Sequence, residues 1–222
     1  MFIVYRACST GNPNKNRPIE GDKIDLVRAC FGSFKEAFKG VKYDLVCLLD
    51  KPTPELREIF KDEETEESHY AYFAEGNVGS FHRQIELALE RGKCYMFIED
   101  DYFFLPGSGK ILEKAVQELP FLTPYDHPRY YDEKTHEYPR EVILSAGHHW
   151  QSVISTTLTF GGGYGELVKE ADTMRKHGWA DHSMWVDITG RRKLYSPIPT
   201  LASHMETEHL SPKWALLQTP TL

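Results

Sequence analysis

The first half of the chain alternates continuous apolar runs with stretches in which apolar residues recur every three or four positions. Met1–Tyr5 and the run KYDLVCLLD, which ends at Asp50, are almost wholly apolar, as in strands buried on both faces. From Lys23 onward the apolar residues follow helical spacing, which predicts an amphipathic helix. PTPELREIF predicts a short helix, because Pro54 suits a first turn. The pattern therefore predicts strand–helix–strand units.

The same alternation continues through the middle of the chain. We interpret the acidic run DEETEE as a solvated segment and SHYAYFA as a third strand. Ser80 suits the cap of a helix that would end near Gly92. The run CYMFI, from Cys94, predicts another buried strand, and SGKILEKAVQELP another amphipathic helix. These units together predict an α/β domain with a mostly parallel central sheet flanked by helices.

The second half is less regular. After TPYDHPRYYDEKTHEYP come two strand-like runs, EVILS and HWQSVISTTLTF, and a glycine-rich turn, GGGYG. A helix is predicted from Glu166 to about His177. No segment has the composition of a linker, so residues 1–222 are expected to form a single domain.

Composition narrows the class of protein. The chain has 222 residues, 41% of them hydrophobic, and a formal net charge of −7, which argues against nonspecific binding to nucleic acid. Four cysteines without CxxC spacing indicate reduced thiols, and no segment approaches the roughly 20 apolar residues that span a bilayer. The start, MFIVYRACS, is unlike a signal peptide. We expect a soluble cytoplasmic protein with no membrane span.

Three acids follow a buried strand directly in the stretch FIEDDYFFLPG. They are Glu99, Asp100 and Asp101, and Asp50 leaves another apolar run in the same way. Ligands of open parallel sheets bind beyond the carboxyl ends of the strands, and carboxylates suit hard cations such as Mg²⁺ or Mn²⁺. A solvated turn is the alternative. The apolar residues on both sides of the acids favour a cation site.

A longer stretch, GNVGSFHRQIELALERGKCYMFIEDDYFFLPG, resembles the core signature of nucleotide-sugar-dependent glycosyltransferases of the GT-A fold, particularly family-2-like members. Those enzymes have an Asn-x-Gly turn (here from Asn77), a helix carrying an arginine (Arg83), an apolar strand, an acidic D-x-D motif and often Pro-Gly (Pro106-Gly107). This chain differs at the first acid, Glu99, so that its motif reads E-x-D.

The resemblance implies a single GT-A-like domain that is a metal-dependent glycosyltransferase, of hexosyltransferase type. It would transfer a sugar from a nucleoside-diphosphate sugar, above all a UDP-sugar, to a hydroxyl acceptor such as a glycan. Residues 1–107 would bind the donor and residues 108–222 the acceptor. Mn²⁺ or Mg²⁺ would stabilise the charge on the leaving diphosphate. Inversion or retention of configuration is left open.

The resemblance also assigns roles to the acids. Asp101 would bind the metal ion, and Asp100 or Glu99 would hold the donor ribose or a metal-bound water. His204, in PIPTLASHMETEHLS, resembles the late Pro-x-Leu-x-x-His element, whose histidine completes the metal site or meets the diphosphate. A surface histidine in a C-terminal loop is the alternative for His204.

Nucleotide contacts are carried over in the same way. Arg83 would pair with a donor phosphate, or alternatively with Glu86 or Glu90 on its own helix. The ends of the first two strands would hold the base and ribose. The residues there are Arg6, Ala7, Cys8 and Asp50.

The acceptor site is expected in the second half. In GWADHSMWVDI, Asp181 lies between Trp179 and Trp185 and is the candidate base, with Asp187 as second choice. Aromatic faces beside acids suit sugars, whose C–H surfaces stack on rings. Trp150 and the stretch YDHPRYY would line the acceptor site, with burial in the core as the alternative.

Two other functions compete with the glycosyltransferase. A nucleotidyltransferase acting on a sugar phosphate would carry a glycine-rich loop with Arg and Lys after the first strand, which STGNPNKNRP matches only loosely. A carbohydrate- or nucleotide-binding module without turnover is the other. A zinc hydrolase is disfavoured because no H-E-x-x-H motif is present.

Overall fold

The computed structural model of the chain describes residues 1–10, 16–68, 73–132, 140–178, 180–212 and 214, with the backbone alone at 68 and 73–76. The described strands are β1 (Phe2–Cys8), β2 (Asp44–Asp50), β3 (Thr65–Ser68), β4 (Tyr95–Glu99), β5 (Tyr102–Phe104), β6 (Phe121–Leu122), β7 (Val142–Ser145), β8 (His148–Val153), β9 (Phe160–Gly162), β10 (Leu194–Ile198) and β11 (Ala202–His204). The α-helices are α1 (Lys23–Ala37), α2 (Pro54–Ile59), α3 (Phe73–Arg91), α4 (Ser108–Glu118), α5 (Tyr164–His177) and α6 (Asp181–Thr189).

The described strands form one nine-stranded sheet in the order β3-β2-β1-β4-β9-β6-β10-β8-β7. Within it β8 and β9 run against the direction of the other strands, which confirms the predicted mostly parallel sheet. Beside it β5 and β11 form a two-stranded antiparallel ribbon.

Helices cover both faces of the sheet, as the continuous apolar strands predict. In β1, Ile3 and Tyr5 pack with residues of α1, α2 and α4. Phe2 and Val4 point the other way and pack with residues of α3, α5 and α6. Because alternate side chains of a strand point to opposite faces, a strand covered on both sides must be apolar throughout.

Two predicted helix starts are confirmed by their capping bonds. Asp22 caps α1 by accepting hydrogen bonds from the backbone N–H groups of Ile24 and Asp25, and the Asp25 side chain reciprocates. Thr53 caps α2, whose first residue is Pro54.

The predicted start of the third helix at Ser80 is wrong. α3 begins at Phe73, so Asn77 and Gly79 lie inside the helix and do not form an Asn-x-Gly turn. The interpretation of SHYAYFA as a strand fails where α3 begins, and residues 69–72 lie outside the described residues. Arg6 Nη1 donates to both the backbone oxygen and Oδ1 of Asn77 inside this helix. This long-range contact outweighs the weak helix propensity of Gly79.

Two further segments differ from the prediction. The end of the acidic run is not simply a solvated segment, because Thr65–Ser68 forms β3, a charged strand paired in parallel with β2 at the sheet edge. HWQSVISTTLTF does not form one strand. β8 ends at Val153, and the chain crosses to another position in the sheet before β9.

The glycine-rich segment is a central strand and was wrongly predicted as a turn. β9 lies between β4 and β6, where the neighbouring backbones approach closely. A Cβ atom on Gly161 would lie 2.5 Å from the Tyr95 carbonyl oxygen, and one on Gly162 would lie 2.5 Å from the Pro120 carbonyl oxygen. Glycine is needed here for close packing.

The sheet runs across the boundary that the sequence suggested at residue 107. β4 pairs with β9, and β5 pairs with β11, so strands of the two predicted halves are neighbours. None of the described helices combines the length and apolar character needed to span a bilayer. All four cysteines are free thiols.

Candidate active site

The three adjacent acids lie at the carboxyl end of β4, and each is bonded to a basic side chain. Glu99 is the last residue of β4 and is the register partner of Arg6 in β1. Asp100 is buried, and Asp101 is half-buried. The sequence therefore brings three carboxylates to the edge of the sheet where ligands of this architecture bind.

Glu99 is paired with Arg6. Arg6 Nη2 lies 2.9 Å from Glu99 Oε1, while Arg6 Nη1 donates to Asn77 and to Ser80 Oγ. Burial raises the pKa of Glu99; the positive charge of Arg6 opposes this, and the negative charges of Asp101 and Asp181 add to it. Arg6 thus ties β1 to α3 and to the first acid.

Asp100 is held by Lys23 and by the backbone. Its Oδ1 lies 2.6 Å from Lys23 Nζ, and its Oδ2 accepts a hydrogen bond of 2.9 Å from the backbone N–H of Cys8. Burial alone would lower the pKa of Lys23, but the charges of Asp100 and Asp101 raise it above its ordinary value. Burial raises the pKa of the Cys8 thiol to about 12, so this cysteine stays protonated and is a poor nucleophile.

Asp101 connects the acids to the C-terminal part of the chain. Its Oδ2 lies 3.1 Å from His204 Nε2 and 3.3 Å from Arg17 Nη1. Burial would raise the pKa of Asp101, but the neighbouring His204, Lys23 and Arg17 hold it well below its usual range. Asp101 is therefore ionised at neutral pH.

The ribbon of β5 and β11 positions His204. His204 pairs with Tyr102 across the ribbon, and their rings stack with centroids 5.2 Å apart. Arg17 fixes the same region from the other side, since its Nη1 also donates to the Met205 carbonyl oxygen at 3.0 Å. The backbone N–H of Thr207 donates to the Asn16 carbonyl oxygen at 2.9 Å. The segment after β1 is thus attached to the segment after β11.

A pocket of about 420 Å³ opens beside these acids. Its described lining includes Asp181, His204, Glu206 and three further histidines, His127, His182 and His209. Its volume falls within the usual range of small-molecule sites. His204 connects the pocket to the acids, because it lines the pocket and contacts Asp101.

Asp181 is the first residue of α6, and its Oδ1 accepts a 2.6 Å hydrogen bond from the backbone N–H of His182. Its charge contributes to the raised pKa of Glu99. Asp181, the predicted base, and His204, the predicted metal ligand, are therefore brought together by the fold.

His127 is a neutral member of the pocket. Burial lowers its pKa to about 3, with the positive charges of His209 and Arg129 acting in the same direction. Its Nδ1 accepts a 3.0 Å hydrogen bond from the backbone N–H of Arg129, which requires an unprotonated nitrogen. His127 and Arg129 belong to the YDHPRYY stretch that the sequence placed at the acceptor side.

Other predicted residues lie outside this cluster. Arg83 forms ion pairs with Glu66, Glu86 and Glu90 on the surface, the alternative that the sequence offered. Asp187 Oδ2 lies 3.1 Å from His177 Nε2, and Asp187 does not line the pocket.

The remaining predicted residues divide between the site and the core. Asp50 ends β2 as the register partner of Cys8, and Ala7 lies between Arg6 and Cys8 in β1. Trp150 is fully buried in the core, and Trp179 lies outside the described residues.

Sequence reasoning missed Arg17 and Lys23 as members of the site. The available signal was their position, since both follow the first strand and precede or begin the first helix. Basic residues after the first strand of a nucleotide-binding sheet lie at the edge where phosphates bind.

The acids and histidines of this cluster are poorly arranged for a divalent cation. Among the described residues no three His, Cys, Asp or Glu side chains are arranged to hold a metal ion. The one oxygen of Asp101 that contacts His204 is also bonded to Arg17. As arranged, these residues do not fit a metal ion, and the metal roles of Asp101 and His204 stay predictions.

The similarity of this chain to known proteins is one of structure. No protein-family model and no curated protein matches the sequence. A nucleotidyl transferase from Methanothermobacter superposes with a TM-score of 0.50 at 11% identity, covering 88% of this chain and 85% of that one. The chain shares the α/β fold of that protein, with a mostly parallel central sheet flanked by helices. This confirms the predicted fold class.

Two further solved structures lie slightly lower in similarity. One is the galactosyltransferase LgtC in complex with donor and acceptor sugar analogues, with a TM-score of 0.49, 8% identity and coverage of 87% and 71%. The other is a CMP:2-keto-3-deoxy-manno-octonic acid synthetase complexed with CTP, with a TM-score of 0.46, 10% identity and coverage of 86% for both chains. At these identities the similarity is one of fold.

Proposed function

We propose that this protein is a glycosyltransferase that moves a sugar from a nucleoside-diphosphate sugar, with UDP-sugars the first donors to test, to a hydroxyl group of a glycan acceptor. The observation that carries the proposal is the position of Asp181 in a pocket whose wall, His204, contacts the acids at the end of β4. A candidate base thus lines a cavity of suitable size, and His204 connects that cavity to the charged strand edge.

Each part of the site has a place in this reaction. The strand ends with Arg6, Ala7, Cys8 and Asp50 would hold the nucleoside, with Glu99 or Asp100 at the ribose. The pocket would hold the acceptor and the transferred sugar. Asp181 would take the proton of the acceptor hydroxyl as its oxygen bonds to the anomeric carbon and the diphosphate leaves. In a retaining reaction Asp181 would orient the acceptor without acting as the base.

The proposal is tested by a donor screen. UDP-, GDP-, ADP- and dTDP-sugars are incubated with the protein and mixed glycan acceptors, and release of free nucleoside diphosphate is measured. We expect release with one donor class. Asp181→Asn should lower the rate by about 10²–10⁴-fold, because a positioned base contributes that much. Asp172→Asn, which changes an exposed carboxylate of α5, is the matched control.

The binding of donors separates failure of the assay from failure of the proposal. Saturation-transfer NMR reports whether each nucleotide sugar binds, independent of the acceptor offered. If no donor binds and none is hydrolysed, the chain is not a glycosyltransferase. If donors bind but never react with any acceptor class, the non-catalytic binding module is favoured.

A second candidate function is supported by Arg17 and Lys23. Both follow β1, where a nucleotidyltransferase would bind the phosphates of a nucleoside triphosphate, and the nucleotidyl transferase from Methanothermobacter shares the fold. That enzyme class would join a nucleotide to a sugar phosphate and release pyrophosphate. Incubation with each nucleoside triphosphate and a sugar 1-phosphate decides the matter, since pyrophosphate release without activity on nucleotide sugars would favour this candidate.

A further inference from the structure

The acids at the end of β4 are already neutralised by the chain itself. Glu99, Asp100 and Asp101 contact Arg6, Lys23 and Arg17 respectively, so three negative charges meet three permanent positive charges. Building on the proposed function, we infer that Arg17 and Lys23 also hydrogen-bond to the diphosphate of the donor, and that the site needs no divalent cation.

The geometry at Oδ2 of Asp101 leaves no ready place for a metal ion. Arg17 and His204 both contact Oδ2 of this carboxylate, at 3.3 and 3.1 Å. A paired carboxylate only accepts hydrogen bonds, so His204 Nε2 donates to it and has no lone pair to offer a metal there. A cation at Oδ2 would have to displace Arg17, which is also bonded to the Met205 carbonyl oxygen.

Arg17 and Lys23 have donors to spare for a phosphate. In the described part of the chain both hydrogen bonds of Arg17 use Nη1, and a guanidinium carries five N–H donors. Among the residues that the structure describes, Lys23 Nζ donates one hydrogen bond, to Asp100, and an ammonium carries three donors. Each side chain can bridge a carboxylate and a phosphate oxygen at once.

Burial makes these charges effective. The side chains of Arg17 and Lys23 are 16% and 13% exposed, so water screens them weakly. Charge-assisted bonds from such groups to phosphate oxygens are short and strong. As the bond between the anomeric carbon and the diphosphate oxygen breaks, the electron pair goes to the diphosphate, and the two cations stabilise it. The proton of the acceptor goes to Asp181 in the inverting case.

The arrangement is tested first by binding. Calorimetry in EDTA compares UDP with uridine, and the other nucleoside diphosphates with their nucleosides if UDP is not the ligand. We expect the diphosphate to bind more tightly than the nucleoside without metal. Arg17→Ala and Lys23→Ala should each weaken diphosphate binding by about tenfold or more, the usual contribution of a bond to a charged group, and should weaken nucleoside binding much less.

Three controls keep this result specific. Arg57→Ala removes an exposed arginine that pairs with Glu67 and should leave both affinities unchanged. Arg17→Lys and Lys23→Arg keep the charge and should restore most of the loss. A variant that merely unfolds would lose nucleoside binding as well, which separates damage to the fold from loss of a phosphate contact.

A second arm measures the metal directly. The electron paramagnetic resonance signal of free Mn²⁺ should not fall when the wild-type protein is added, and turnover of the identified donor should agree within about twofold between EDTA and Mn²⁺. Loss of turnover in EDTA that Mn²⁺ restores would overturn the inference and leave the glycosyltransferase proposal standing. Absence of any nucleotide-sugar binding in either condition would overturn both.

Discussion

Asp126 precedes the pocket residue His127, and its burial affects the pKa of its carboxyl group more than neighbouring groups do. It is 4% exposed, and its carboxylate accepts hydrogen bonds from the Tyr131 hydroxyl at 2.7 Å and from Gln151 Nε2 at 3.1 Å. Burial raises the pKa of Asp126 to about 6, although both hydrogen bonds oppose the shift. Desolvation therefore outweighs two favourable contacts at this position.

The raised pKa of Asp126 predicts a pH dependence of stability. A folded-state pKa of about 6, above the ordinary 3.8, means that the folded protein holds this proton more tightly than the unfolded chain does. The contribution to stability is present below pH 4 and is lost as the pH rises through 6. In urea unfolding at pH 4, 5, 6 and 7, Asp126→Asn should gain stability relative to wild type as the pH rises. A constant difference between the two proteins across this range would contradict the prediction.

At the scale of single elements, two glycines in helices distinguish the effect of helix propensity on stability from the effect of close packing between elements. Gly109 lies in the first turn of α4, where a Cβ atom would be 2.7 Å from the Ala37 carbonyl oxygen and 2.8 Å from Phe38 Cα. Gly32 lies inside α1, and nothing lies within 4 Å of the Cβ atom it lacks. The same substitution should therefore have opposite effects in the two helices.

Gly109→Ala should lower the free energy of unfolding by about 1–3 kcal/mol, because backbone atoms cannot yield to the added methyl group. Gly32→Ala should raise it by about 0.5–1 kcal/mol through the better helix propensity of alanine. Urea unfolding followed by circular dichroism measures both. Equal effects of the two substitutions would show that helix propensity, and not the close approach of α4 to Phe38, decides the outcome at Gly109.

The sequence predicted those elements whose signals are local. Asp22 and Thr53 begin helices by bonding to backbone groups two or three residues ahead, so their neighbours in sequence are enough to identify them. The acids after β4 were predicted for the same reason, since an apolar run ends where they begin.

The sequence-based prediction failed where residues far apart in the chain determine the local structure. Gly161 suits a turn in isolation and a strand only because the Tyr95 backbone lies against it. Asn77 suits a turn until Arg6, 71 residues away, bonds to it within α3. Arg17 joined the site through Asp101, 84 residues along the chain, and no local pattern reports such a contact.

At the scale of the whole molecule, the two predicted halves share one core. Phe97 of β4 and Phe160 of β9 pack edge to face with ring centroids 5.3 Å apart, and the two strands are neighbours in the sheet. β5 pairs with β11 in the ribbon that carries His204. A boundary at residue 107 therefore separates strands that stabilise each other.

Fragments 1–107 and 108–222, produced separately, should not fold. Without β9, β4 would be an exposed apolar edge strand and its core would be open. Amide proton NMR spectra of each fragment should show narrow dispersion, and urea should unfold neither cooperatively, in contrast to the full chain. Wide dispersion and a cooperative transition in residues 1–107 alone would establish an independent donor-binding domain.

The attachment of Arg17 to Met205 also sets the earliest time at which the candidate site can form. These residues are 188 positions apart, so at roughly 5–20 residues per second their contact forms no sooner than roughly 10–40 s after Arg17 is synthesised. Asp101 waits in the same way for His204. A nascent or truncated chain that ends before residue 204 therefore contains the three acids but lacks His204, which contacts Asp101. The growing polypeptide cannot acquire these site contacts until residue 205 has been synthesised.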